Sequence, residues 1–268
     1  MMISDYQEWV NQVFREYSLH HQWIPCTSII CGILACKLVY DISKIISGTF
    51  FKSYSSLPKM KKIEWDNRTI STVHAIFITV LSVYLAFWSD LFAGDPQHGP
   101  VLFRSSAFST FVLGVSVGYF ISDLAMIFWF YPALGGMEYV LHHFLSMAAL
   151  GYAMLTGNGQ FYTYMVLLSE TTTPGINLRW YLDVVGKKKS KPYVVNGVAI
   201  FLTWLVARIL LFLYVFYHIY AHFDQIMLLP AIGFYLIVTA PSVLAVLNLI
   251  WFSKITKGMI KTLTAKMD

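Results

Sequence analysis

Apolar residues dominate long stretches of the chain, and short polar segments separate these stretches. A helix rises ~1.5 Å per residue, so about 20 mostly apolar residues are enough to cross the hydrocarbon core of a bilayer. Stretches of this kind occur at approximately 24–46, 69–91, 108–131, 137–155, 160–180, 197–220 and 226–252. The pattern predicts an all-α membrane protein with about seven transmembrane helices.

Two of these stretches contain polar residues that a purely lipid-facing helix would exclude. The first carries Lys37 and Asp41, whose four-residue spacing places them on one helix face, so we expect them to pair. The fifth carries Glu170 and Asn177, which are seven residues apart and therefore share a face. Pro174 lies between them and predicts a kink, because proline removes a backbone donor. Kinks of this kind are tolerated where a helix lines a cavity or a protein interior.

The composition agrees with a membrane protein. Hydrophobic residues make up 57% of the chain and charged residues 12%, whereas soluble domains carry about 25% charged residues. The net charge of +5 could indicate nucleic-acid binding. The lysines, however, cluster between apolar stretches, and no nucleic-acid fold signature accompanies them, so we predict no nucleic-acid partner. The three cysteines lie in one apolar segment without a CxxC spacing, which argues against a disulfide framework.

Lysine and arginine concentrate in three polar segments, at 52–68, 187–191 and 254–266. Seven spans place all three segments on one side of the membrane. Because cytosolic loops are enriched in Lys and Arg, this predicts a lumenal N-terminus and a cytosolic C-terminus. The first 23 residues lack the pattern of a cleavable signal, so insertion is expected to rely on the first span. The sequon at Asn67 falls on the cytosolic side and is expected to be unmodified.

Ionisable and amide side chains recur in the cytosolic halves of the predicted spans, within roughly 17 Å of that side. These residues are His74, Asp123, His142, His143, Glu170, Asn177, Arg179, Arg208 and Asn248. Buried groups of this type usually face a bundle interior or a water-filled cavity. The sequence therefore predicts a polar cavity that faces the cytosol.

The adjacent histidines His142 and His143 are the most suggestive pair. Neighbouring helical residues point about 100° apart, so the two rings are not expected to share a metal ion. One could act as a general base while the other orients a neighbour, or both could bond to other helices. Asp123 could orient an imidazole or form a structural pair with a histidine or arginine. Glu170 could act as an acid or form a buried charge pair with Arg208.

His218 and His222 are also four residues apart, a spacing that can chelate a metal. They have no acidic or cysteine companions, and the eight scattered histidines do not form the clusters that di-iron membrane enzymes need. We predict no metal site and no tightly bound cofactor.

Four segments, in this order and spacing, resemble the TLC-domain family, which includes the ceramide synthases. The segments are KKIEWDNRTISTVHA at 61–75, GYFISDLAM at 118–126, LHHFLSMAALGYAM at 141–154 and LLSETTTPGINLRWYL at 167–182. The resemblance implies a bundle in the endoplasmic reticulum or a related membrane, with a central cavity for a lipid or acyl chain. It divides the chain into an N-terminal segment with the first span (1–57), a TLC domain (58–261) and a short cytosolic tail (262–268).

In ceramide synthases, a twin histidine and downstream acidic residues belong to the acyl-transfer site, and His142 and His143 match that twin histidine. Downstream, this chain has Ser169, Glu170 and Thr171 where ceramide synthases carry a pair of aspartates. Ceramide synthesis is therefore not the expected reaction, whereas another acyl transfer remains compatible with the residues.

Two functions remain open. In the first, acyl-CoA is a co-substrate: His142 or His143 acts as base or nucleophile, and Asp123 or Glu170 orients the imidazole. Arg179 or loop lysines would then meet the phosphates of CoA. The predicted substrate-binding residues are His74, Asn177, Arg179, Arg208 and Asn248. In the second, the same cavity binds a lipid without catalysis and helps to set membrane lipid composition. The expected partners are the bilayer and a lipid or acyl chain, and the sequence does not determine the oligomeric state.

Overall fold

Helices make up almost all of the fold in the computed structural model, which describes residues 23–93 and 99–264. The α-helices are α1 (Trp23–Phe50), α2 (Lys52–Ser55), α3 (Lys59–Val83), α4 (Ala107–Trp129), α5 (Met137–Thr156), α6 (Gln160–Leu167), α7 (Thr173–Val184), α8 (Lys191–Trp204), α9 (Leu211–Ala221), α10 (Phe223–Ile226) and α11 (Ala231–Thr264). No β-strand occurs within the described ranges. The prediction of an all-α protein is confirmed.

Within the described residues, four continuous helical segments are long and apolar enough to cross a membrane. They are Lys59–Trp88, Ala107–Trp129, Lys191–Ala221 and Ala231–Lys261. An integral membrane protein is therefore supported, while the count of seven spans stays a prediction. The other three predicted spans correspond to α1, to α5 and to α6 with α7. On α1, Lys37 and Asp41 form an ion pair, as their spacing predicted.

Helices α1 and α4 approach closely because glycines face the contact. A Cβ atom added to Gly32 would lie 2.3 Å from the carbonyl oxygen of Val115, and one added to Gly118 would lie 2.4 Å from that of Ile29. Small residues permit such backbone contact between membrane helices. Asp123 follows Gly118 by five residues, or about 140° around the helix, so the α1 contact turns this carboxylate toward the interior of the bundle.

Two irregular turns interrupt the helices that bear the charged interior residues. A 3-10 turn, Leu168–Thr172, joins α6 to α7 and contains Glu170; a π-helical turn, Leu205–Leu210, joins α8 to α9 and contains Arg208. Pro174 lies in the first turn of α7. Backbone N–H groups in the first turn of a helix have no acceptor within that helix, so the lack of one in proline costs nothing there. The predicted kink is therefore a break just before the proline. Irregular turns of both kinds often mark functional positions in helical proteins.

A buried amide ties α4, α5 and α6 together near the loop from Gly157 to Gly159. The Gln160 side chain accepts a hydrogen bond from Ser109 Oγ at 2.6 Å and donates to Thr110 Oγ1 at 3.1 Å and to the Ala153 carbonyl at 3.2 Å. Its side chain is completely shielded from solvent. Buried polar groups in stable proteins are normally bonded in this way.

Candidate functional site

A polar cavity of about 500 Å³ lies at one end of the bundle. Its walls come from the beginning of α3, the end of α4, the beginning of α5, from α7 and from the end of α11. These helix ends adjoin the three lysine-rich segments. The predicted site residues on its lining are Asp123, His142, His143, Glu170, Asn177, Arg179 and Arg208. The structure thus brings together most of the polar residues that the sequence singled out.

A narrow apolar slot of about 50 Å³ extends from this cavity into the bundle. Small side chains contribute much of its wall, namely Ala149, Ala153, Gly159 and Ala240. The slot and the cavity share Phe120, His142, Glu170 and Arg208 on their linings. Asn248, another predicted site residue, lines the slot but not the cavity. The two spaces therefore meet at a boundary where one histidine and one charge pair are located.

His143 has a partner at each ring nitrogen. Its Nε2 atom lies 2.7 Å from Asp123 Oδ2, and its Nδ1 atom lies 2.8 Å from the carbonyl oxygen of Tyr139. A carbonyl oxygen only accepts hydrogen bonds, so Nδ1 carries a proton. Asn67 Nδ2 donates to the other oxygen of Asp123 at 2.8 Å. The His143 ring is therefore held in one orientation, and neither nitrogen offers a free lone pair to a substrate. The predicted Asp–His pair is present.

His142 differs from its neighbour in this respect. Its ring centroid lies 5.4 Å from that of His143, with 69° between the ring planes, as expected for side chains that point in different directions. Its Nδ1 atom is buried and has no hydrogen-bond partner among the residues that the structure describes. His142 also lines both the cavity and the slot. Of the twin histidines, it is the one that has hydrogen-bonding capacity the described residues leave unused.

The charged group at the boundary is Arg208. Its Nη2 atom lies 3.6 Å from Glu170 Oε1, so the predicted buried pair is present. Its Nε atom donates to Thr172 Oγ1 at 2.8 Å, and Nη1 donates to Asn248 Oδ1 at 3.1 Å. The guanidinium also lies over the ring of Trp204, 4.6 Å from its centroid. These contacts hold the positive charge in place between α7, the π-helical turn and α11.

Asn177 lines the cavity but uses its polar atoms to join α7 to α3. Its Oδ1 atom accepts from Arg68 Nη1 at 3.0 Å. Its Nδ2 atom lies 3.0 Å from the Arg68 carbonyl, 2.8 Å from Ser71 Oγ and 2.9 Å from Thr72 Oγ1. The geometry therefore gives Asn177 a role in positioning helices.

Basic side chains lie along the rim of the cavity. Arg179 lies over the Tyr193 ring, 4.0 Å from its centroid, and donates to the Tyr193 carbonyl at 3.2 Å. Arg68 is bonded to Glu64, and Lys254 also belongs to the lining. Together with the lysine-rich segments, these residues make this end of the bundle positively charged.

His74 is a predicted site residue that lines neither the cavity nor the slot as the structure describes them. Its ring stacks on Tyr119 with 3.8 Å between centroids. Both of its nitrogens are buried without a hydrogen-bond partner among residues 23–93 and 99–264. The predicted contact between His74 and a substrate therefore has no geometric support in the described cavity.

The histidines at the other end of the bundle stack on each other. The rings of His218 and His222 lie 4.0 Å apart, and His218 Nδ1 is 3.0 Å from the hydroxyl of Tyr162. Within the described part of the chain, no group of three or more His, Cys, Asp or Glu side chains is arranged to hold a metal ion.

Three residues of the site were absent from the sequence-based prediction. Asn67 donates a hydrogen bond to Asp123, and Thr172 accepts one from Arg208. The ring of Trp204 packs against the guanidinium of Arg208. Asn67 and Thr172 lie in the quoted EWDNR and ETTTP segments, so the motifs contained a usable signal. Trp204 lies in an apolar span in which nothing distinguishes it from a core aromatic residue.

The TLC domain matches residues 64–257 of the chain. TLC domain-containing protein 4-B of Danio rerio is 28% identical over 233 residues, which cover 84% of this chain and 85% of that protein. TLC domain-containing protein 4 of Homo sapiens is 29% identical over 231 residues, which cover 85% of this chain and 86% of that protein. TLC domain-containing protein 4 C of Dictyostelium discoideum is 29% identical over 179 residues, which cover 64% of this chain and 63% of that protein. No solved structure matches the chain. The resemblance inferred from the motifs is confirmed, including the narrower resemblance to TLC domain-containing protein 4.

Proposed function

The chain belongs to the TLC-domain family, and from this premise and its two adjoining spaces we propose that it transfers a long acyl chain from acyl-CoA to a lipid acceptor inside the membrane. The observation that carries the proposal is the boundary at which the polar cavity and the apolar slot share His142, Glu170 and Arg208. Ligand sites typically combine an apolar wall with a few converging polar groups. An acylated ligand has the same two parts, a chain and a polar end.

The slot has the length of one membrane acyl chain. Along α5 its lining runs from His142 to Ala153, which is eleven residues or roughly 16 Å of helix. One leaflet contributes half of a hydrocarbon core that is about 30 Å thick. The slot is narrow, so a chain enters it by displacing flexible side chains, which the small residues of its wall make easier.

The transfer needs one base at the boundary, and His142 has the free nitrogen. The acceptor hydroxyl or amine gives its proton to the His142 imidazole as its oxygen or nitrogen bonds to the thioester carbon. The carbon–sulfur bond then breaks, and the CoA thiolate takes the proton from the imidazolium. Arg208 is placed to stabilise the negative charge that develops on the carbonyl oxygen. The pair of His143 and Asp123 acts as a positioning unit for the beginning of α5.

Acyl-CoA reaches the site from the basic end of the bundle. Arg68, Arg179 and Lys254 lie at that rim, and charged nitrogen donors bind phosphate groups strongly. The enrichment of lysine at this end supports a cytosolic orientation for it. We accordingly propose seven spans, with the N-terminus lumenal and the C-terminus cytosolic, in the endoplasmic reticulum. The TLC domain of this arrangement comprises residues 58–261.

The second candidate is a non-catalytic lipid-binding protein that helps to set membrane lipid composition. The observation in its favour is the extent of internal bonding in the cavity, since His143, Asp123, Asn177 and Arg208 all bond to protein partners. A ligand held mainly by the slot would need no reactive group at the boundary.

The two candidates differ in what they do to acyl-CoA. Purified wild-type protein and the variants His142→Ala, His143→Ala and His222→Ala are incubated with palmitoyl-CoA and membrane lipids. Free CoA and new acylated lipids are then measured by mass spectrometry. His222 is the matched control, because it lies at the opposite end of the bundle.

We expect wild type and His222→Ala to form product, and His142→Ala to lose activity by about a hundredfold or more, the usual contribution of a general base. His143→Ala should reduce the yield of folded protein as well as the activity. Full activity in folded His142→Ala would reject the histidine-centred site. An intact lipid retained by all four proteins, with no release of CoA, would establish the non-catalytic candidate.

A further inference from the structure

One hydrogen-bond donor in the slot is left without a partner by the rest of the fold. The side chain of Asn248 is 1% exposed, and its Nδ2 atom has no hydrogen-bond partner in the described part of the chain. An unpaired buried donor costs about 1–3 kcal/mol of stability. Native structures rarely tolerate such a group without a reason.

Arg208 determines which way the Asn248 amide points. The Arg208 Nη1 atom lies 3.1 Å from Asn248 Oδ1, and a guanidinium only donates hydrogen bonds, so the amide oxygen must face it. The nitrogen is therefore on the other side of the carboxamide. The backbone at this position is also held, because Trp204 Nε1 donates to the Asn248 carbonyl at 3.1 Å. The free N–H groups therefore have a fixed direction, and Asn248 is one of the residues that line the slot.

Asn248 lies where the slot begins. It contacts Arg208, which belongs to both the slot and the polar cavity. In an acyl-CoA and in an acylated lipid alike, the first polar atom beyond the hydrocarbon chain is the acyl carbonyl oxygen. That oxygen accepts hydrogen bonds, so its chemistry and its position both match the unpaired donor.

We propose that Asn248 Nδ2 donates a hydrogen bond to the acyl carbonyl oxygen of the bound chain, and that the site thereby selects chains that end in a carbonyl group. This inference rests on the proposed function, because it takes the slot to hold an acyl chain. It adds the specificity of the site: a carboxylic ester or thioester is retained, whereas a hydrocarbon without a carbonyl is not. Asn248 binds the ligand and directs its carbonyl carbon toward His142, with no bond made or broken at Asn248.

The test compares two ligands of equal length, methyl palmitate and an unsubstituted alkane. Both are offered in competition to wild-type protein and to the variants Asn248→Leu, Asn248→Asp and Asn196→Leu, and the retained ratio is measured by mass spectrometry. Asn248→Asp keeps the shape of the side chain and a partner for Arg208 but replaces the donor with an acceptor. Asn196 is the matched control, because its Nδ2 atom is bonded to the Gly175 carbonyl at 2.9 Å and the described lining of neither space includes it.

Wild type and Asn196→Leu should prefer the ester by roughly five- to tenfold, the range expected for one hydrogen bond. Both Asn248 variants should lose that preference. An ester labelled with carbon-13 at its carbonyl gives a second readout, because a hydrogen bond lowers the infrared stretching frequency. The labelled band should be lower in wild type than in either Asn248 variant.

Two results would overturn the inference. An unchanged preference and an unchanged carbonyl band in the folded Asn248 variants would mean that the nitrogen serves a water molecule, while the proposed function would stand. Failure of wild type to retain either ligand or to release CoA would remove the proposed function, and the inference would fall with it.

Discussion

Gln160 and Asn248 are both buried side-chain amides, but the fold treats them differently. Gln160 bonds through both ends of its amide to side chains and backbone of two other helices. Asn248 bonds through its oxygen to Arg208 and leaves its nitrogen unpaired among the described residues. Gln160 follows Asn158 and Gly159, which line the slot far from the polar cavity, whereas Asn248 lines the slot near that cavity. The comparison indicates that Gln160 uses its whole bonding capacity to hold helices together, whereas Asn248 keeps one atom available for the ligand that we propose.

The same distinction separates the twin histidines. His143 has partners on both nitrogens, whereas His142 has a buried nitrogen with no partner in the described residues. Position in the cavity therefore does not by itself define a functional residue, since both histidines line it. What distinguishes them is whether the protein already uses their bonding capacity.

The largest effect is expected from Asp123→Ala, which tests whether the saturated groups hold the fold together. It leaves the His143 ring buried without its carboxylate partner, and breaking a buried pair costs about 3–5 kcal/mol. Thermal unfolding in detergent micelles should show a correspondingly lower midpoint. A midpoint within error of wild type would mean that the pair does not stabilise the bundle.

A smaller effect is expected from Gln160→Leu. Leucine retains most of the volume but removes one hydrogen bond each from Ser109, Thr110 and the Ala153 carbonyl, so we expect a loss of about 2–3 kcal/mol. The unfolding midpoint measures this loss, and the preference for an ester over an alkane should stay as in wild type. A change in that preference would show that the end of the slot near Gly159 also contacts the polar part of the ligand.

Asn248→Leu should cost less stability than Gln160→Leu, about 1 kcal/mol or less. The variant leaves one N–H group of Arg208 without its acceptor. It also removes the unpaired donor of Asn248, so the cost of one unpaired donor replaces that of another. The two leucine variants are compared in the same unfolding experiment. Equal losses would contradict the distinction between a structural amide and a ligand-binding amide.

The smallest effect is expected from Asp183→Ala, at an exposed ion pair outside the site. Asp183 accepts a hydrogen bond from Lys188 at 3.0 Å and thereby raises the pKa of that lysine above its ordinary value. The ion pair therefore stabilises the folded state fully at pH values below the ordinary pKa of lysine. This contribution is lost as the pH rises through the raised pKa of Lys188. Because exposed pairs contribute little, we expect no measurable shift of the unfolding midpoint at neutral pH. A clear shift would show that charge in general, rather than burial, governs these pairs.

Part of the site could be predicted from local patterns. The pairing of Lys37 with Asp41 and the divergence of His142 and His143 follow from helix geometry and are present in the structure. The grouping of buried polar residues could be predicted because ionisable groups in an apolar helix must find partners or water. The substrate contact of Asn177 stays a prediction: the residue lines the cavity, and the bonds that join α7 to α3 through it could not be read from its position in the sequence.

The sequence by itself determined the helical class, the alternation of apolar spans with basic segments and the family, because these depend on composition, period and local motifs. The tertiary structure alone decided which polar atoms are saturated. That outcome depends on distances between side chains far apart in the chain, such as Asn67 with Asp123 and Arg208 with Asn248. A hydrogen bond requires its two atoms to lie within about 3.5 Å. Only the packing of the helices sets that distance, and with it which of the described nitrogens have no partner within the protein.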